Sequence, residues 1–220
     1  MSHALKFGRK AAVDGTARSM VVFLHGYGAD GADLLGLADV LARHLPGTVC
    51  FAPDAPLPCA ASGFGRQWFG IPAFDGSSMV TAGQEMAAAA VDLDGFIDAR
   101  LAEEGLTPAD LVLVGFSQGA MMALHVAPRR DVAVAAIVAI SGRLLRPDAL
   151  VAEAKVKPPV LLVHGDEDAV VPFAEMGLAG KALTAAGFEV FGHVMHGSGH
   201  GIAPDGLSVA LAFMKDRLPK

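Results

Sequence analysis

A chain of 220 residues with 53% hydrophobic and only 18% charged side chains has material for a core covered on two sides, so one domain over residues 1–220 is expected. Its formal net charge of −6, without any basic cluster, excludes a nucleic-acid or anionic-membrane surface. Residues 1–19 contain no apolar stretch of signal-peptide length and no run approaches a membrane span, so a cytoplasmic protein without integral membrane association is expected.

In chain order, residues 1–19 read as an N-terminal extension or an edge hairpin. Short apolar runs at 20–24, 49–52, 111–114, 134–140, 160–163 and 189–194 read as strands. Helix formers fill 32–44, 80–104, 118–127, 173–186 and 204–218, several with Pro or Gly at the ends. The alternation predicts an α/β fold: a mostly parallel sheet of six or more strands with helices on both faces. Cys50 and Cys59, in an apolar run and a Pro-rich loop, match neither a disulfide framework nor a zinc pattern and read as plain thiols.

The run 111–114 enters Gly115-Phe116-Ser117-Gln118-Gly119 and leaves as helix. Gly-x-Ser-x-Gly is weak by itself, but a strand before it and a helix after it are the context in which the turn exposes a serine at a sheet edge. Two glycines permit a turn sharp enough to strain Ser117, and strain asks for a reason.

In sheets of this kind ligands bind beyond the C-terminal ends of the strands. Those positions here are polar: His25-Gly26-Tyr27-Gly28, Ser117-Gln118, His164-Gly165-Asp166-Glu167-Asp168 and His196-Gly197-Ser198-Gly199-His200. A serine nucleophile needs an imidazole to take its proton. Chain order, with acid and then histidine after the serine, leaves His125, His164, His193, His196 and His200. His200, in a glycine-rich loop before the last helix, is favoured over His196. Among the acids after 160–163, Asp168 precedes a turn at Pro172 and is favoured to orient the imidazole, whereas Asp166 is expected to serve the turn through local backbone hydrogen bonds. The main-chain N–H groups of Gln118 and Tyr27 are the expected oxyanion donors, a role in which the Tyr27 side chain is incidental.

With these residues the chain resembles the carboxylesterase and acyl-protein thioesterase (phospholipase/carboxylesterase) family of α/β-hydrolases. FLHGYGAD at 23–30, APDAP at 52–56, QWFG at 67–70, GFSQGA at 115–120, HGDEDAVVP at 164–172 and GSGHGI at 197–202 occur in the family's order. The resemblance implies Ser117, Asp168 and His200 as catalytic residues, Tyr27 and Gln118 as the oxyanion hole, and Trp68 and Phe69 beside the acyl pocket. For the single tryptophan, packing the loop against the core is an equal alternative. The implied reaction is hydrolysis of short- to medium-chain acyl esters, thioesters or lysophospholipids, as small-molecule substrates, through an acyl-enzyme, with no metal or organic cofactor. The family also implies homodimers as an available assembly.

Two other readings compete. Gly26-x-Gly28-x-x-Gly31 follows a strand and precedes a helix, with Asp54 after the next strand, which outlines a dinucleotide-binding oxidoreductase. Against it, Asp30 would set a carboxylate beside the pyrophosphate. The other is a hydrolase fold that binds without catalysis.

Overall fold

The computed structural model describes residues 4–219. Its elements are β1 (Phe7–Lys10), β2 (Ser19–Leu24), α1 (Gly31–Leu35), α2 (Leu37–Ala42), β3 (Thr48–Pro53), β4 (Leu57–Pro58), β5 (Arg66–Gln67), α3 (Pro72–Asp75) and α4 (Met79–Glu104). There follow β6 (Leu111–Phe116), α5 (Gln118–Val126), β7 (Ala136–Ile140), α6 (Pro147–Glu153), β8 (Val160–Gly165), α7 (Ala174–Ala185), β9 (Val190–Met195) and α8 (Pro204–Arg217). Seven strands form one sheet in the order β1-β3-β2-β6-β7-β8-β9. All pairs are parallel except β1 with β3. The expected α/β architecture is therefore present, with an antiparallel strand added at one edge by the segment read as an extension or hairpin. That strand pairs with residues 50–53, far along the chain, which is why local pattern did not reveal it.

Why the strands read as unbroken apolar runs follows from what covers them. Alternate side chains go to opposite faces: Met20, Val22 and Leu24 join one core with Leu111, Leu113, Val160 and Leu162, whereas Val21 and Phe23 join the other with Val112, Val114, Leu161 and Val163. Leu93 and Ile97 of α4, the α5 residues, Leu150 of α6 and Leu183 of α7 cover the first face. Leu34, Leu41, Phe213 and Met214, from α1, α2 and α8, cover the second. Every residue of α5 is buried, the polar Gln118 and His125 included, so this helix is covered on all sides rather than amphipathic.

Two local expectations are revised. The helix expected over 32–44 is two short ones, α1 and α2, parted at Gly36, where a weak helix former lies in mid-run. The strand expected over 134–140 starts at Ala136, where pairing with Val112 begins. The structure adds the short α6, started by Pro147, and the β4–β5 hairpin.

The chain steps from β2 outward to β3, then crosses back to β6 on the other side of β2. Loops leaving β2 and β6 therefore diverge over a crevice at their C-terminal ends, the switch point where such sheets bind ligands.

Candidate active site

Ser117 joins β6 to α5 with φ 54° and ψ −117°, a conformation costing roughly 1–3 kcal/mol for a residue with a side chain. Its neighbours hold it there. Its N–H donates to Ile140 O at 2.8 Å, and its carbonyl accepts from Met121 N–H at 3.1 Å. Both glycines of the motif are required by close approach: a Cβ on Gly119 would lie 1.9 Å from Leu24 O, and one on Gly115 would lie 2.4 Å from Gly119 O.

His200 Nε2 lies 2.9 Å from Ser117 Oγ, and His200 Nδ1 lies 2.7 Å from Asp168 Oδ2. An ionised carboxylate only accepts, so Nδ1 carries the proton and Nε2 is free to accept from the serine hydroxyl. The Phe116 ring packs against the imidazole with centroids 5.0 Å apart. The Asp168 side chain is fully shielded from solvent, and its Oδ1 accepts from both Val170 and Val171 N–H at 2.9 Å. Burial pushes its pKa up, but hydrogen bonds from His200, Val171 and Val170 outweigh this and leave the carboxyl below its ordinary value. The structure thus brings together Ser117, His200 and Asp168, which are 83 and 32 positions apart along the chain.

The other histidines are engaged elsewhere. His164 Nε2–H donates to Val171 O at 2.9 Å and stands 3.3 Å from Asp168 Oδ2. His193 pairs with Asp205. His125 is buried in α5, where desolvation and then Arg129 lower its pKa to about 4. Asp166 reaches beyond its own turn: Oδ2 accepts from His196 Nδ1 and Oδ1 from Gly197 N–H, both at 2.7 Å, so it ties down the loop that carries His200.

The loop after β2 is braced from below. Ala55 N–H donates to His25 Nε2 at 3.0 Å, so Nδ1 carries the proton and donates to Gly26 O at 2.8 Å. Burial lowers the pKa of this ring and keeps it neutral. Trp68 is completely buried, its Nε1–H donating to His25 O at 3.0 Å. The Gln118 side chain accepts from Trp68 N–H at 2.8 Å and donates to Phe69 O at 2.7 Å. Among the described residues, neither Tyr27 N–H nor Gln118 N–H donates to a backbone carbonyl.

A cleft of about 340 Å³ opens over Ser117 and His200, lined also by Tyr27, Phe69, Met121 and Arg143. Phe69 lines this cleft, whereas Trp68 does not and is buried in the core, packing the loop against it. Apart from its main-chain N–H, Tyr27 also lines the cleft with its side chain, and its hydroxyl donates to Asp75 Oδ2 at 3.1 Å. Arg143, absent from the residues that sequence reasoning singles out, follows β7, so the rule that ligands bind beyond the C-terminal ends of strands points to it as well.

The dinucleotide reading finds its place already filled. At the N-terminus of α1, Asp54 Oδ1 accepts from Gly31 N–H and Asp30 Oδ1 from Ala32 N–H, each at 2.9 Å, so two carboxylates stand where a pyrophosphate would need to be. Gly31 itself is required by packing, since a Cβ there would meet Ala52 O at 2.3 Å. Among the described residues no group of three or more His, Cys, Asp or Glu is arranged to hold a metal ion, and no helix is long and apolar enough to cross a membrane.

A doubly covered, mostly parallel sheet with a strained serine turn at its switch point defines an α/β-hydrolase fold. The phospholipase/carboxylesterase family profile matches residues 11–218, and the chain belongs to that family. Acyl-protein thioesterase 1 of Saccharomyces cerevisiae is 31% identical over 232 residues, covering 96% of this chain and 97% of the relative. The esterase YpfH of Escherichia coli strain K12 is 25% identical, covering 94% and 86%. Among solved structures, that of esterase PE8 superposes with a TM-score of 0.93 at 42% identity, covering 98% of this chain and all of the other. The protein is a hydrolase of the carboxylesterase and acyl-protein thioesterase type.

Proposed function

We propose that the protein is a serine esterase acting on short- to medium-chain acyl esters in the cytoplasm, with Ser117 as nucleophile. The observation that carries this reading is the unbroken relay from Ser117 Oγ to His200 Nε2 at 2.9 Å and from His200 Nδ1 to Asp168 at 2.7 Å, built on a serine held at φ 54°. Ser117 Oγ attacks the ester carbonyl as His200 Nε2 takes its proton, and Asp168 stabilises the imidazolium. The main-chain N–H groups of Tyr27 and Gln118 receive the developing oxyanion. Collapse passes the proton to the departing alcohol and leaves an acyl-serine, which water hydrolyses with His200 again as base. The relay needs neither metal nor organic cofactor. The name of the yeast relative supports extending the leaving group to a thiol, and lysophospholipids are a further substrate class of the same chemistry.

The test is hydrolysis of p-nitrophenyl butyrate by wild type and Ser117→Ala. The variant should lose on the order of 10⁴- to 10⁶-fold in kcat while keeping the wild-type circular dichroism spectrum. A fluorophosphonate probe should label Ser117 and no other residue. Retained turnover, or labelling elsewhere, rejects the assignment.

A further inference from the structure

Most arginines of this chain already have partners: Arg130 has Asp94 and Asp98, Arg129 and Arg146 share Glu153, and Arg66 donates to the carbonyls of Ala55 and Pro56. Arg143, at the wall of the cleft that holds Ser117 and His200, makes no hydrogen bond or ion pair among the described residues. Its backbone is fixed by unusual means. Ser141, two residues earlier, is fully buried at φ 51° with its hydroxyl lacking any hydrogen-bond partner, and its N–H donates to Val163 O at 2.8 Å. Gly142 is pressed against the serine turn, for a Cβ there would lie 2.5 Å from Ala120 Cβ and 3.1 Å from Ser117 O. A strained serine and a wedged glycine thus set the backbone of Arg143 one residue after a glycine that is pressed against the nucleophile's own backbone.

The same side chain also lines an adjoining groove of about 510 Å³, which shares Phe69 and Ile71 with the cleft and is otherwise walled largely by apolar residues such as Met79, Met86 and Leu144. The one acid on that groove, Glu175, does not line the cleft and forms no ion pair with Arg143. Arg143 is exposed at the cleft wall, so a neutral substrate covering it would displace part of its water without replacing the lost hydrogen bonds, an unfavourable exchange. A carboxylate would replace them with two parallel charge-assisted bonds. Since the chain as a whole carries −6, the preference is local and not a general attraction for anions.

We propose that Arg143 is a specificity-determining residue that receives a carboxylate borne by the substrate within a few bonds of the scissile carbonyl, so that the preferred esters are anionic. The inference rests on the reading of Ser117 as nucleophile. Two matched pairs decide it and locate the charge. Monoethyl glutarate against ethyl hexanoate places the carboxylate on the acyl side, and the butyryl ester of glycolate against isobutyl butyrate places it on the alcohol side. The readout is the ratio of kcat/KM for the charged ester over its neutral partner, in wild type, Arg143→Met and Arg143→Lys. In one arm the ratio should fall about tenfold or more in the Met variant and recover in part in the Lys variant, and that arm identifies the side that carries the charge. Ratios unchanged within about twofold in both arms, by the same scale, overturn the proposal. Turnover of the neutral esters by wild type, and its loss in Ser117→Ala, report separately on the underlying reading; if wild type hydrolyses no ester, both readings fall.

Discussion

Two acid–histidine pairs connect the loop after β8 to the loop after β9, and each has a carboxylate oxygen 2.7 Å from a histidine Nδ1. Asp166 with His196 lies outside, the imidazole 85% exposed; Asp168 with His200 lies inside, the carboxylate wholly shielded and the imidazole 17% exposed. Equal distances here do not mean equal energies. In water an ion pair gains little, because solvent competes for both partners. Within the wall of the cleft the same contact fixes a tautomer, since Val170 and Val171 occupy the other carboxylate oxygen and Ser117 waits on the far side of the ring. The outer pair instead anchors: through Gly197 N–H it pins the loop on which His200 is mounted.

The largest effect expected of this contrast is on turnover. Asp168→Asn should lower kcat for p-nitrophenyl butyrate by about 10⁴-fold, because an amide in that position favours the wrong imidazole tautomer. A loss below about tenfold would remove Asp168 from the proposed relay.

A smaller effect, on stability, depends on pH. Both carboxyls lie below their ordinary value: Asp168 against its burial through the His200 and backbone hydrogen bonds, and Asp166 first through His196 and then through Gly197. A carboxyl whose pKa is depressed by folding contributes stability above its unfolded value, near pH 4, and that contribution is lost as pH falls through the folded value. The Tm difference between wild type and Asp168→Asn should therefore be full at neutral pH and shrink steadily below about pH 4. A constant difference through that window would place the cost of the substitution in packing instead of charge.

The smallest effect belongs to the outer pair. His196→Ala should leave kcat within about fivefold of wild type, the scale of an exposed ion pair. A loss approaching that of Asp168→Asn would mean that the two pairs are not separable, and that loop anchoring governs the geometry of His200.

How the fold and site divide between sequence and structure follows from the range of each interaction. The strands that are buried on both faces were legible as apolar runs, and Gly115 to Gly119 as a turn between strand and helix, because these patterns are local and repeat at the period of the element that forms them. The antiparallel edge strand β1 was not, since its partner begins some forty residues later. For the site, residue order and loop composition narrowed the histidines and acids to a few, with Ser117, Asp168 and His200 favoured. Only the tertiary structure decided that Ser117 and His200 meet, that Asp166 reaches across to His196, that Trp68 is buried in the core while Tyr27 lines the cleft, and that Arg143 stands at its wall. Each of these depends on where loops from different strand ends come to rest, and that is settled by burial and hydrogen bonds between segments that carry no trace of one another in their own residues.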